Sequence, residues 1–197
     1  MTQKLKASTD RKTANSATPS GKTPRIRNAF GLPSGVAYSC PGMTKICQDV
    51  CYAGRMERQY KNVLAAMLHN WDIVFNSTYS EIVALLDDMI TEFEHECDKW
   101  NAEKKFRIHH DGDFFDTEYV MAWQTVIIAH PNVQFWAYTR SFDLVYLLAD
   151  TPNLTLYLSV DSENINNAVN CYRANPWVKL AALGQTFDDA KSLLAVF

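Results

Sequence analysis

Three cysteines, Cys40, Cys47 and Cys51, lie in the stretch that runs from Ser39-Cys40-Pro41-Gly42 to Cys51-Tyr52-Ala53, with six residues between the first two and three between the last two. Thiolates are soft ligands. Three of them on one loop can hold three irons of a [4Fe-4S] cluster and leave the fourth iron open. Three thiolates and one histidine can instead make a tetrahedral zinc site. Zinc ligands usually pair at spacings of about two to four residues; the Cys40–Cys47 gap is wider, and no second pair follows. A cuboidal cluster spreads its irons in space and tolerates a looser loop. The third reading needs no metal, because small buried cysteines near a turn pack as ordinary apolar side chains. Cys97 and Cys171 are isolated and are expected to do just that.

A second group of polar residues is a candidate for holding a substrate or cofactor beside the cysteines. His109-His110-Asp111-Gly112-Asp113 follows an apolar run, Arg140 follows an aromatic one, and Asp161 follows another. His109, His110, Asp111 and Asp113 offer a fourth cluster ligand, a proton donor or a substrate contact. Strand alternation would put His110 and Gly112 on one face and His109, Asp111 and Asp113 on the other. The competing reading of these residues is a helix N-cap and a rim ion pair. A guanidinium at Arg140 could hold a carboxylate or phosphate bidentately, or pair internally with Asp113 or Asp161.

The elements that must position these groups follow from hydrophobic period. Residues 26–32 read as a first strand, 56–76 as a helix, and 79–100 as a second helix capped near Ser77 or Thr78. The pattern then becomes regular. Strand 105–110 precedes helix 116–130, strand 133–139 precedes helix 142–149, strand 154–160 precedes helix 163–173, and strand 177–183 precedes helix 186–195. Alternating strands and helices with short connections predict a parallel sheet. It would close either as an open doubly wound sheet or as a partial or full TIM-like β/α barrel. In both, function gathers where strands end, and every polar candidate above falls at such an end.

Composition bounds the rest. The chain has 197 residues, 47% of them hydrophobic, which suits one domain with a sizeable core. Residues 1–25 hold six basic side chains and one acid, which predicts a disordered basic tail ahead of a domain over 26–197. The domain is then acidic, with 13 basic and 21 acidic residues. That argues against a broad nucleic-acid face and leaves at most weak phosphate contact through the tail. No apolar run is long enough to cross a membrane. An odd cysteine count without a secretory signal argues against a secreted disulfide framework. No phosphate-binding glycine loop, His-Glu-x-x-His or Gly-x-Ser-x-Gly is present, so hydrolase and kinase chemistry lack support.

The cysteine loop after a first strand, with an aromatic residue after the last cysteine, resembles the radical S-adenosylmethionine superfamily. Its cysteine gaps are wider than that superfamily's usual ones, and the usual Gly-Glu-Pro stretch is not recognisable. More closely, four blocks resemble the tailed-phage "gene product eighty-eight" family: Ser39-Cys40-Pro41-Gly42, Cys51-Tyr52-Ala53, the His-Asp-Gly-Asp-Phe stretch at 110–114, and Phe135-Trp136-Ala137-Tyr138-Thr139-Arg140-Ser141. These resemblances imply a viral protein in a bacterial host cytoplasm. They also imply a radical-enzyme-like barrel, a [4Fe-4S] cluster on Cys40, Cys47 and Cys51, and S-adenosylmethionine as a further cofactor. A small molecule or an electron donor would be its partner. A non-catalytic protein whose metal only organises the loop is the alternative.

Overall fold

The computed structural model of the protein describes residues 3–10, 12, 13 and 26–197. Five parallel strands form one sheet: β1 (Ala29–Gly31), β2 (Lys105–Asp111), β3 (Gln134–Thr139), β4 (Leu154–Val160) and β5 (Lys179–Ala182). Their spatial order is β1-β2-β3-β4-β5. An order without reversal excludes the doubly wound sheet, which needs a switch point. The full barrel is corrected too. β1 and β5 do not pair among the described residues, so the sheet is open. Five strands are fewer than the eight that a closed parallel barrel uses.

Between β1 and β2 run α1 (Lys45–Val50), α2 (Tyr52–Gln59), α3 (Lys61–Phe75) and α4 (Tyr79–Trp100). α5 (Thr117–Ala129) follows β2, a 3-10 helix (Phe142–Leu148) follows β3, α6 (Ile165–Ala174) follows β4, and α7 (Phe187–Leu194) follows β5. The helix predicted over 56–76 is thus two helices. The break is at Tyr60, whose backbone is extended at φ −121° and ψ 99°. It lets α2 keep Ala53 and Gly54 buried near the cysteines while α3 buries Met67, Asn70 and Val74. α4 starts at Thr78, whose N–H donates to Glu81, as the capping signal predicts.

Period-two burial shows which face the helices cover. Phe135, Ala137 and Thr139 of β3 and Leu154, Leu156, Leu158 and Val160 of β4 are buried, while Trp136, Tyr138, Thr155, Tyr157 and Ser159 are half-buried. Under the covered face, Phe106 meets Phe93 of α4 at 5.1 Å between ring centroids, edge to face. Trp123 of α5 is fully buried beside it. Cys97 and Cys171 lie in this layer, as expected, donating to the carbonyls of Glu103 and Phe142.

The N-terminal segment differs from a solvated arm over residues 3–10. Ser8 and Ala29 exchange two backbone hydrogen bonds of 2.7 and 3.0 Å, which cover the outer edge of β1. Asn70 grips the backbone of Lys6 from both sides, and Asn28 grips that of Asp10. Composition alone predicts flexibility here because the segment is mostly polar; its partners, two asparagines and the core surface under Leu5 and Ala7, lie elsewhere in the chain. Residues 1, 2, 11 and 14–25 of the predicted tail lie outside the described residues.

Candidate metal centre

The cysteine segment is laid over the C-terminal ends of the strands by specific local contacts. Cys40 to Met43 form a turn closed by the Met43 N–H on the Cys40 carbonyl at 3.2 Å. Ser39, fully buried, donates from its hydroxyl to the Pro33 carbonyl at 2.7 Å. Thr44 caps α1 by accepting from the Cys47 N–H at 3.0 Å, and its hydroxyl donates to Asp161 Oδ2 at 2.7 Å. Cys47 therefore rides on α1. Cys51 is the N-cap of α2, its sulfur accepting from the Gly54 N–H at 3.3 Å.

Two glycines make this docking possible. A Cβ on Gly42 would lie 2.3 Å from the Arg140 carbonyl oxygen. Gly42 thus lets the cysteine turn lie against the backbone after β3. Gly112 has φ +84°, and a Cβ there would lie 2.4 Å from Ser39 Oγ.

All three thiols border one cavity of about 300 Å³, together with His109, His110, Asp111, Asp113 and Arg140. Eight of the nine candidate residues therefore meet at one place. The ninth, Asp161, stands behind Arg140 and accepts from its Nη1 at 2.5 Å. Asp161 is fully buried, so the pair is an internal one that aims Arg140. Asp113 is a clasp: Thr139 Oγ1, the Phe114 N–H and the Arg140 N–H all donate to it at 2.7 Å. Burial pushes its pKa up to about 6 against these hydrogen bonds.

The other carboxyl is differently placed. Asp111 is buried, and its Oδ1 has no partner. Burial, then the neighbouring Glu57 carboxylate, pushes Asp111 up to about 8. Glu57 itself accepts from the Ser34 N–H at 2.7 Å and the Ser34 hydroxyl at 3.0 Å. Burial, then Arg107, holds His110 down at about 4, so its ring is neutral, and its Nε2 is unpaired. The Tyr52 hydroxyl donates to the His110 carbonyl, tying the start of α2 to the end of β2.

His109, expected on the face of Asp111 and Asp113, borders the same cavity as they do. The β1–β2 register slips between Ala29↔Arg107 and Gly31↔Asp111, so β2 carries extra residues there. His109 also reaches Tyr119 of α5, Nε2 to hydroxyl, at 2.7 Å. Burial pushes its pKa down to about 3.

Sequence reasoning missed Arg107, Tyr52 and Asp10. Arg107 borders the cavity, lies over the Trp136 ring at 4.8 Å and pairs with Asp10 of the N-terminal segment at 2.5 Å. A basic residue between Phe106 and Ile108, inside a strand, was the available signal. Nothing local marked Asp10.

Two of the thiols, Cys40 and Cys47, are pushed towards the protonated form when no metal is bound. Burial, then Asp113, pushes Cys40 up to about 12, and burial raises Cys47 against the opposing pull of Arg140. A metal would have to displace those protons. Among the described residues, no three of His, Cys, Asp and Glu converge closely enough to hold a single metal ion. A cluster makes a different demand, because each thiol meets a separate iron. The donor set fits one: three thiols on one cavity, with the Gly54 N–H donating to a sulfur and the Arg140 guanidinium near another.

An open, sequentially ordered parallel sheet with a three-thiol cavity at its strand ends defines the class of protein. The Gene product 88 family matches residues 3–196, and the chain belongs to that family. It is 44% identical over 194 residues to the Gene 88 protein of Mycobacterium phage L5, covering 96% of this chain and 80% of that one. The Gene 88 protein of Mycobacterium phage D29 is 43% identical over 193 residues, covering 95% and 80%. The expected phage family is thereby established. No solved structure matches the chain. Among the described residues, no helix is long and apolar enough to cross a membrane.

Proposed function

We propose that this chain is a phage iron–sulfur protein of the host cytoplasm, holding a [4Fe-4S] cluster through Cys40, Cys47 and Cys51. The observation that carries the reading is the meeting of three thiols at one cavity. The docking of the loop supports a working cluster over a merely structural metal. Ser39, Thr44 and Gly42 already hold the segment through hydrogen bonds and close packing, so a metal is not needed to order it. When bound, such a cluster supplies an electron or a Lewis-acidic iron to a molecule beside it.

The chain's own residues supply the rest. Arg140, aimed by Asp161, places a fixed positive charge on the cavity for an anionic group. Asp111, neutral over most of the physiological range, holds a proton at the cavity wall. Tyr52 keeps Cys51 against β2. Radical chemistry on S-adenosylmethionine, on a partial barrel, is the finer form of this reading, and it rests on the superfamily resemblance.

Anaerobic purification with iron and sulfide analysis tests the proposal. The parent chain is expected to carry about four irons and the Cys47→Ala variant far fewer. Equal iron in both refutes the assignment, and zinc in place of iron favours the binding-protein alternative. Cleavage of S-adenosylmethionine by the reduced protein is the test of the finer form.

A further inference from the structure

Helix α2 carries its faces in reverse. A surface helix ordinarily buries its apolar stripe and wets its polar one. α2 buries Ala53 and Gly54, and its Glu57 turns to the Ser34 N–H and hydroxyl. Its large apolar side chains stay in solvent instead. Tyr52 is 48% exposed, Met56 39%, and Tyr60, the C-cap, 46%. Tyr52 and Met56 are four residues apart and so share one face. Met56 and Tyr60 share a groove with Lys61. Tyr52, Met56 and Tyr60 also line a second cavity, of about 720 Å³, which has Tyr52, Ala53, His110 and Asp111 in common with the thiol cavity. On the other flank, Cys51 and Arg58 border one small cavity. The surface of this helix is thus continuous with the candidate metal centre.

Charge singles out the same surface. Residues 26–75 hold five basic and three acidic side chains, whereas residues 76–197 hold eight and eighteen. Three of the five cations, Arg55, Arg58 and Lys61, are exposed on α2 and at the start of α3. None of the three has an ion pair among the described residues. An apolar row flanked by unpaired cations, on an otherwise acidic body, fits the face of an acidic protein. A second copy fits badly, because a two-fold contact sets these cations against themselves. A nucleic acid needs a longer basic track.

We propose that α2 and the start of α3 form the docking face for an acidic one-electron carrier protein that reduces the centre. α2 has eight residues, a length of about 12 Å, and Cys51 caps its first turn. A carrier seated on it therefore lies close to that sulfur. In the step, the carrier loses one electron and the cluster gains it, with no bond made or broken. Contacts of this kind are small, weak and steered by charge. The electron step rests on the iron–sulfur reading; the docking does not.

The probe is a plant-type [2Fe–2S] ferredoxin, an acidic and strongly reducing carrier. Docking is read by calorimetric titration of the metal-free Cys47→Ala chain at low salt, so its failure is distinct from a failure of the iron analysis. Binding is expected. Arg55→Glu with Arg58→Glu should weaken it at least tenfold, and Met56→Gln should weaken it less. Arg173→Glu, on the exposed side of α6, should leave it unchanged. In the iron-loaded chain, reduced ferredoxin should bleach the cluster absorption at least tenfold more slowly when Arg55 and Arg58 are reversed, at equal iron content and with an equal end point under dithionite. Absence of binding, equal binding after the double reversal, equal weakening by Arg173→Glu, or binding of a single-stranded oligonucleotide in place of ferredoxin would each overturn the proposal. So would docking weakened by the reversal at an unchanged rate of bleaching, because the contact would then carry no electron.

Discussion

Five cysteines fall into two environments, and the contrast separates packing from chemistry. Cys97 and Cys171 sit on α4 and α6 in the buried layer between helices and sheet, each spending its S–H on a nearby carbonyl. Cys40, Cys47 and Cys51 are half-exposed and share a cavity with charged groups. Burial raises the pKa of thiols in both places. What differs is what lies beside the sulfur. In the core it is carbonyl and hydrocarbon; at the strand ends it is a guanidinium, carboxyls and other thiols. Only the second setting brings several thiols to the wall of one cavity.

The sharpest way to break that comparison is to exchange loss between the two sets. Cys47→Ser is expected to abolish iron binding in anaerobically purified protein with little change in thermal midpoint. Cys97→Ala should leave iron intact and lower folding stability by about 1–2 kcal/mol, read from denaturant unfolding. Iron lost from Cys97→Ala but kept in Cys47→Ser would erase the distinction.

Next in size is Gly42→Ala. The new methyl must enter the 2.3 Å gap to the Arg140 carbonyl, so the turn has to move. A cost of about 1–3 kcal/mol is expected, and iron content should fall with it, because Cys40 moves with the turn.

The carboxyl at Asp111 gives a pH signature. Its folded pKa of about 8 lies above the ordinary value of about 3.9. The folded chain therefore binds the proton more tightly, and this group's effect on stability worsens as pH rises from about 4 to about 8. Asp111→Asn removes that slope. The variant should gain on the parent between pH 5 and pH 8, and thermal midpoints across that window check it. Parallel curves for the two chains would mean that the carboxyl stays ionised.

The smallest effect is expected on the outer face of α1. Lys45 and Asp49 form an exposed pair at 3.7 Å. Lys45→Ala should cost less than about 0.5 kcal/mol and leave iron unchanged, although Cys47 is two residues away.

Legibility followed the range of the forces involved. β2 to β4 and α4 were visible because their signals repeat every two or every three to four residues. Leu154 to Val160 alternate in burial as the pattern predicts. The short elements were less visible. α1 hides inside the cysteine stretch, and residues 142–148 form a 3-10 helix in place of a full α-helix. The break at Tyr60 has no proline or glycine beside it to announce it. The candidate site was legible as residue types at strand ends, and of the two partners left open for the Arg140 guanidinium, Asp113 and Asp161, the structure selects Asp161. The role of Arg107 was not, because its partner, Asp10, is 97 positions away.

By itself the sequence determined the parallel strand–helix order and the three cysteines that end up at the strand ends, since both depend on near neighbours and on which end of a strand a loop must leave. Only the tertiary structure decided that the sheet stays open, that residues 3–10 seal its first edge, that His109 meets Tyr119 of α5, and that a second cavity meets the first at Asp111. Those outcomes depend on packing and pairing between groups distant along the chain, whose contact energies appear only once the fold brings them together.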